Sequence, residues 1–124
     1  MKHSIMVVDD SRVVYAGMKK MLEGSEIEIS CFCRSGEEAL EKYESVQPDV
    51  VTMDIVMPGI DGLETSRELL KRWPDAKILI VSSLAYDDTI KCANEIGAKG
   101  FLFKPFDKEC LLENLEKVLQ PETV

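Results

Sequence analysis

Short apolar runs alternate with longer amphipathic segments along the whole chain. The run at residues 5–8 stops at two aspartates, which is typical of a buried strand that ends in a polar loop. After Ser11, apolar residues recur at the spacing of one helix face until Gly24. That predicted face comprises Val13, Val14, Gly17, Met18, Met21 and Leu22. The alternation repeats four more times, with strands predicted at 27–33, 50–53, 78–81 and 101–103.

Polar residues and prolines mark the predicted helix boundaries. Ser35 and Glu38 have the spacing of a capping box at the start of the second helix. Asp61 is the predicted cap of the third helix, and Trp73-Pro74 is predicted to end it. The last two helices are predicted around residues 89–96 and along the apolar stripe of Leu111, Leu112, Leu115, Val118 and Leu119.

The alternation of strands and helices predicts the fold class. Strands that are nearly all apolar, each followed by one helix, form parallel sheets covered on both faces by right-handed crossovers. Five such units in 124 residues are too few for an eight-unit barrel. We therefore predict an open, doubly wound α/β sheet in one domain over residues 1–124, with residues 120–124 as a frayed tail.

Composition and charge narrow the classes of function. No apolar run approaches the roughly 20 residues that span a bilayer, and the first residues do not resemble a signal peptide. We therefore expect a cytoplasmic protein without membrane insertion. The net charge of -8 disfavours direct binding to nucleic acid, because its phosphates would be repelled.

The four cysteines, Cys31, Cys33, Cys92 and Cys110, lie in apolar periodic segments of a chain without an export signal. We predict that they are reduced core residues. A zinc site is disfavoured, because the Cys31-x-Cys33 pair has no second pair and the chain has a single histidine.

Residues with reactive side chains directly follow four of the predicted strands. Ligands of open parallel sheets bind beyond the carboxyl ends of the strands, so these positions are expected to meet at one edge. They are Asp9-Asp10, Asp54, Ser82-Ser83 and Lys104. Taken singly, each has an ordinary interpretation as a helix cap or a turn residue. Their coincidence at one edge of the sheet is the main indication of a functional site.

The chemistry of these residues favours phosphoryl transfer. Clustered carboxylates repel one another unless a cation neutralises them, and hard oxygen ligands favour Mg²⁺. Mg²⁺ commonly takes one or two carboxylates and a substrate phosphate, which leaves Asp54 or a neighbouring acid as the nucleophile. The Lys104 ammonium and the Ser82 hydroxyl could share the charge of the transferred group.

The motifs around these residues resemble the receiver domains of two-component response regulators, of which the single-domain chemotaxis regulator is the best known type. The similarity spans nearly the whole chain and follows the order of the motifs in that family. It implies a flavodoxin-like sheet with strand order 2-1-3-4-5 and five helices. The segments that carry it are Val7-Val8-Asp9-Asp10-Ser11, Met53-Asp54-Ile55-Val56-Met57-Pro58-Gly59-Ile60-Asp61-Gly62, Val81-Ser82-Ser83 and Lys104-Pro105-Phe106.

The resemblance also implies a role for each acidic residue. Asp54 would accept a phosphoryl group from a histidine kinase. Asp10, the Asp54 carboxylate and the Val56 backbone carbonyl would bind Mg²⁺, and Asp9 would assist through water. A protein of this family assists its own phosphorylation and dephosphorylation and is not an enzyme with a separate substrate.

The resemblance further implies a switch. Lys104 would pair with the phosphoryl group, and the Lys104-Pro105 bond would be cis. Ser82 would move toward the phosphate and Phe101 would turn inward, which would remodel the face formed by the fourth helix, the fifth strand and the fifth helix. Because Phe101 stands where many members have tyrosine, it lacks a hydroxyl that could bond a partner.

Two apolar residues are expected to prolong the phosphorylated state. Val56 and Leu84 would flank the path of the attacking water, and neither side chain can orient it. The expected partners are a histidine kinase and a downstream protein target. The unphosphorylated form is expected to be a monomer, and dimerisation of the phosphorylated form stays open.

Two other classes remain as alternatives. One is a pseudo-receiver that binds partners without phosphorylation. The other is an aspartyl-nucleophile phosphatase of the haloacid dehalogenase class, which needs an acid where this chain has Val56. A nucleotide-binding fold is disfavoured, because no strand is followed by a G-x-G-x-x-G turn or a P-loop lysine.

Overall fold

The predicted doubly wound α/β fold is confirmed in a computed structural model, which describes residues 2–84 and 86–120. Its five parallel strands follow the order β2-β1-β3-β4-β5, as the sequence resemblance implied. The strands are β1 His3–Val8, β2 Ile27–Cys33, β3 Val50–Met53, β4 Ile78–Ser82 and β5 Gly100–Phe103.

In the described part of the chain, one helix follows each strand, and polar side chains cap four of these five helices. The helices are α1 Arg12–Leu22, α2 Gly36–Val46, α3 Gly62–Arg72, α4 Asp87–Ile96 and α5 Lys108–Leu119. Ser35 and Asp61 cap α2 and α3 as predicted, and Trp73 ends α3. Ser11 and Asp107 cap α1 and α5 in the same way, each accepting a bond from the amide three residues later.

The sheet separates two apolar layers because its strands alternate the direction of their side chains. In β1, Ile5 and Val7 face one layer, whereas Met6 and Val8 face the other. The first layer is closed by α1 and α5, to which Met18 and Leu115 belong. The second layer is closed mainly by α2, α3 and α4. Together the layers hold the carboxyl ends of β1, β3 and β4 side by side.

Two expectations about the core are wrong. Val13 was assigned to the buried face of α1 but is 82% exposed, because α1 turns it away from the sheet toward solvent. Cys110 is an exposed residue in the first turn of α5 and not a core residue. Cys31 and Cys92 are half-buried, Cys33 is buried, and all four are free thiols.

Two further observations concern the C-terminal residues and the length and apolar character of the helices. Gln120 ends α5, and the rest of the predicted frayed tail, residues 121–124, lies outside the described residues. Within the described part, no helix has both the length and the apolar character required to cross a bilayer.

Candidate functional site

The carboxyl ends of β1 and β3 hold two buried aspartates side by side. Asp9 is 2% exposed and Asp54 is 7% exposed. The Asp54 amide donates to the carbonyl of Val8 at 2.9 Å, and the Asp9 amide donates to the carbonyl of Cys33 at 3.0 Å. These bonds extend the sheet ladder beyond the strands, so both backbones are held by β1 and β2.

Lys104, which follows β5, reaches across the sheet edge to both aspartates. Its Nζ lies 2.8 Å from Asp9 Oδ2 and 3.4 Å from Asp54 Oδ1. Its backbone amide donates to the carbonyl of Ser82 at 2.9 Å, which ties the loop after β5 to β4. The Lys104-Pro105 peptide bond is cis, as the resemblance implied.

Burial and neighbouring charges both affect the pKa values of Asp54 and Lys104. Burial raises the pKa of Asp54 above its usual value, and the nearby Asp9 carboxylate raises it further, while Lys104 opposes both effects. Burial alone would lower the pKa of Lys104, but its bond to Asp9 and the charges of both aspartates outweigh burial and raise it. Lys104 is therefore held as a cation beside two acids that one cation does not fully neutralise.

A third carboxylate completes a cluster suited to a hard cation. Asp10 is exposed, and one carboxylate oxygen from each of Asp9, Asp10 and Asp54 lies within 4.8 Å of the others. Three carboxylates and neighbouring backbone carbonyls are the donor type that Mg²⁺ prefers, whereas zinc and copper favour nitrogen and sulfur ligands. The residues present therefore fit Mg²⁺.

The other predicted site residues surround this cluster at different depths. Ser82 is buried, and its Oγ accepts a bond from the Leu84 amide at 3.1 Å. Val56 is 63% exposed at the mouth of the site, whereas Leu84 is half-buried against the second core layer. Phe101 is half-buried, and its ring centroid lies 5.0 Å from that of Phe103. Phe101 is thus one strand away from Ser82, on β5.

Two contacts at the site have no counterpart among the predicted roles. The amide of Ser11 donates to Asp9 Oδ1 at 2.9 Å, so the loop that caps α1 also orients Asp9. The amide of Gly62 donates to the carbonyl of Ile55 at 2.8 Å, and a Cβ built at Gly62 would lie 1.9 Å from the carbonyl oxygen of Asp54. The Asp61-Gly62 sequence was visible beforehand, but only the packing reveals why the second residue must be glycine.

The arrangement supplies the parts needed to transfer a phosphoryl group. Asp54 offers a largely desolvated carboxylate that lies close to those of Asp9 and Asp10. Lys104 offers a fixed positive charge next to it, and Ser82 offers a buried hydroxyl at the end of the adjacent strand. Positioning and charge neutralisation are the two contributions that phosphoryl transfer requires of a protein.

Comparison with known proteins agrees with this geometry. The model of the response regulator receiver domain family matches residues 5–116. A chemotaxis protein CheY of Listeria monocytogenes is 36% identical over 113 residues, which cover 91% of this chain and 95% of that protein. The CheY of Bacillus subtilis is 34% identical over 119 residues, which cover 96% of this chain and 99% of that protein.

Solved structures of similar proteins have the same architecture. The structure of a CheX-CheY-BeF₃-Mg complex from Borrelia burgdorferi matches with a TM-score of 0.91 and 27% identity, covering 96% of this chain and 90% of that one. The CheY4 of Vibrio cholerae matches with a TM-score of 0.84 and 28% identity, covering 96% of this chain and all of that one.

Proposed function

Since the chain belongs to the response regulator receiver family of two-component signalling, we propose that it is a phosphorylation switch whose phosphoacceptor is Asp54. The phosphodonor is a histidine kinase, and the output is binding of a downstream protein target. The whole of residues 1–124 acts as one receiver domain in the cytoplasm. Asp10, Asp54 and the Val56 carbonyl would hold the Mg²⁺ that accompanies transfer, and Asp9 would assist through water.

One observation carries the proposal: Lys104 bridges the buried carboxylates of Asp9 and Asp54 beside the three-acid cluster. Its Nζ lies 2.8 Å from Asp9 Oδ2 and 3.4 Å from Asp54 Oδ1. A lysine needed only for solubility would extend into water, because desolvating an ammonium is costly. Its placement supports a role in pairing with a transferred anionic group.

In the proposed transfer, an Asp54 carboxylate oxygen attacks the phosphorus of a phosphohistidine. The new O–P bond forms as the N–P bond breaks, and the imidazole of the donor leaves and takes up a proton. Lys104 holds its ammonium against the phosphoryl oxygens, and Asp9 keeps Lys104 in place through the 2.8 Å contact. Bound Mg²⁺ supplies positive charge that offsets the equatorial oxygens of the transition state.

The switch that follows is proposed to act through Ser82 and Phe101. In the unphosphorylated form, Ser82 Oγ accepts the amide of Leu84. Rotation of this hydroxyl toward a phosphoryl group on Asp54 would break that bond and leave room beside β4, which the half-buried Phe101 ring would fill. The change would alter the surface made by α4, β5 and α5 and thereby partner binding.

The experiment that tests the proposed function is intact mass spectrometry after incubation with a small-molecule phosphodonor and Mg²⁺. One added phosphoryl group is expected on the native protein. The Asp54→Ala variant and a chelator-treated sample should gain none, because the first lacks the nucleophile and the second lacks the cation.

Two outcomes would contradict the proposal. The absence of an adduct on folded, Mg²⁺-supplied protein would favour a pseudo-receiver. An adduct that persists in Asp54→Ala would place the phosphoacceptor elsewhere. Circular dichroism of each variant confirms that the fold is intact before either result is interpreted.

A further inference from the structure

Cys31 and Cys33 point to the same side of β2, and their sulfur atoms are in contact. The Sγ–Sγ distance is 3.7 Å. Both residues pack in the second core layer, with Cys33 fully buried and Cys31 half-buried, so solvent reaches the pair from the Cys31 side. We propose that this pair is a redox-modification site, in which a peroxide oxidant joins the two thiols in a reversible disulfide.

The surroundings favour oxidation over metal binding. Zinc in structural sites is held by four ligands, and two thiols alone do not hold it. Among the described residues, the cluster of Asp9, Asp10 and Asp54 is the one group of three acid, thiol or imidazole donors. The cysteine pair therefore lacks a third donor. Formation of a disulfide is a reaction that two thiols complete by themselves.

The strand that carries the pair can accommodate the bond, but with strain. Residues two apart in a strand have Cα atoms about 6.6 Å apart. The Cα atoms of disulfide-bonded cysteines are about 4.4–6.8 Å apart, so this Cα–Cα separation lies near the upper limit. β2 is one of the two edge strands, and its register with β1 already shifts between Ile5 and Met6. A strained disulfide is readily reduced, as a reversible switch in a reducing compartment requires.

The more accessible Cys31 is the thiol that meets the oxidant. Hydrogen peroxide converts it to a sulfenic acid and releases one water. The Cys33 sulfur then attacks Cys31 Sγ, the S–S bond forms, the S–O bond breaks, and the hydroxide leaves with the Cys33 proton as a second water. Because Cys33 is buried and Cys31 is half-buried, this second step is expected to be slower than the first.

A backbone hydrogen bond links the pair to the acidic site. The carbonyl of Cys33 accepts the Asp9 amide at 3.0 Å, and Asp9 in turn binds Lys104 at 2.8 Å. Drawing Cys33 toward Cys31 would displace that carbonyl and with it the Asp9 backbone. Oxidation is therefore expected to weaken Mg²⁺ binding and to slow phosphorylation of Asp54, a consequence that rests on the proposed function.

The test is peroxide oxidation of the native chain, followed by intact mass measurement and peptide mapping. We expect loss of the mass of two hydrogen atoms within one chain, a crosslinked Cys31–Cys33 peptide, and full reversal by a dithiol reductant. Cys31→Ser and Cys33→Ser should each abolish the crosslink. Cys92→Ser combined with Cys110→Ser is the matched control and should retain it, because those residues lie on α4 and α5.

The results separate this inference from the proposed function. A crosslink that maps to other cysteines, or oxidation of Cys31 to a sulfinic acid without a crosslink, would overturn the redox site. A crosslink in a chain whose reduced form accepts no phosphoryl group would leave the redox site intact and contradict the proposed function. Equal phosphorylation rates for the reduced and crosslinked forms would overturn the link through Asp9.

Discussion

The helices α3 and α4 follow adjacent strands and flank the same site, but they are attached to it very differently. Asp61 caps α3, and its Oδ1 accepts the Glu64 amide at 2.8 Å. Tyr86 precedes α4, and no described side chain caps that helix. Four residues of α3 are buried, whereas Ala93 alone is buried among the described residues of α4.

The difference in capping and burial between α3 and α4 agrees with their different positions relative to Asp54. The start of α3 lies against the backbone of Asp54, so any movement of α3 would also move Asp54. α4 belongs to the face that is proposed to change with phosphorylation, and segments with few buried contacts open at low free-energy cost. The molecule therefore combines a rigid support for Asp54 with a loosely held helix that can respond to it.

Gly62→Ala should have the largest effect on stability, because it alters the start of α3, the more firmly held of the two helices. Alanine normally stabilises a helix relative to glycine, but here its Cβ would lie 1.9 Å from the carbonyl oxygen of Asp54. We expect a loss of at least about 3 kcal/mol in the free energy of unfolding, measured by urea denaturation.

Gly17→Ala in α1 is the matched control for that substitution. A Cβ at Gly17 would meet no atom of the described residues within 4 Å, so the same change should stabilise the protein by about 0.5–1 kcal/mol. Equal effects of the two substitutions would mean that the contact between α3 and Asp54 does not hold the helix in place.

The loops that precede α3 and α4 can be compared by their effect on the lifetime of a phosphoryl group on Asp54. Val56 precedes α3 and is 63% exposed, so Val56→Asn should leave stability within about 0.5 kcal/mol of the native protein. An amide at that position can orient the attacking water, and we expect decay of phosphorylated Asp54 to accelerate several-fold, followed by loss of the adduct mass over time.

Leu84, before α4, is the contrasting position. Its side chain packs against the second core layer, so Leu84→Asn should lower stability as well as alter decay. An unchanged decay rate in Val56→Asn would remove the apolar residues as the cause of a long phosphoryl lifetime.

Asp54→Asn tests how much the charge on the buried Asp54 carboxylate destabilises the folded protein. Because the folded pKa of Asp54 is raised, the folded state at neutral pH holds a carboxylate that the unfolded state ionises more easily. Without Mg²⁺, the amide should raise stability by on the order of 1 kcal/mol, after allowance for solvent screening. Thermal unfolding in the presence of a chelator measures it.

The pH dependence of the stability gain in Asp54→Asn shows whether the gain comes from charge or from packing. As pH falls through the raised folded pKa, native Asp54 takes up a proton and the penalty disappears, so the difference between the proteins should shrink and vanish below the unfolded value of about 3.9. A difference that stays constant from neutral to acidic pH would assign the gain to packing and not to charge.

Sequence patterns predicted the doubly wound α/β fold and the candidate site residues, because both depend on local periodicity and on where strands end. The strand order 2-1-3-4-5 was implied by the resemblance to receiver domains and not by periodicity. The burial of Val13 was predicted wrongly, since spacing alone does not show how far a helix is rotated about its axis. The contact of Gly62 with Asp54 and that of Cys33 with Asp9 were out of reach, because each joins two segments through backbone atoms that carry no sequence signal.

The smallest expected effect is at the start of α4. Tyr86 is 68% exposed and already has the extended backbone of a cap residue. Tyr86→Ser should therefore add, at little loss of packing, a side-chain acceptor for the Thr89 amide, which here donates to the Tyr86 carbonyl at 3.0 Å. We expect a local gain of about 0.5 kcal/mol, seen as two- to three-fold slower hydrogen exchange of first-turn amides in α4. Tyr86→Ala, which lacks the acceptor, should not slow exchange. If both variants behave alike, the missing cap is not what leaves α4 less firmly held than α3.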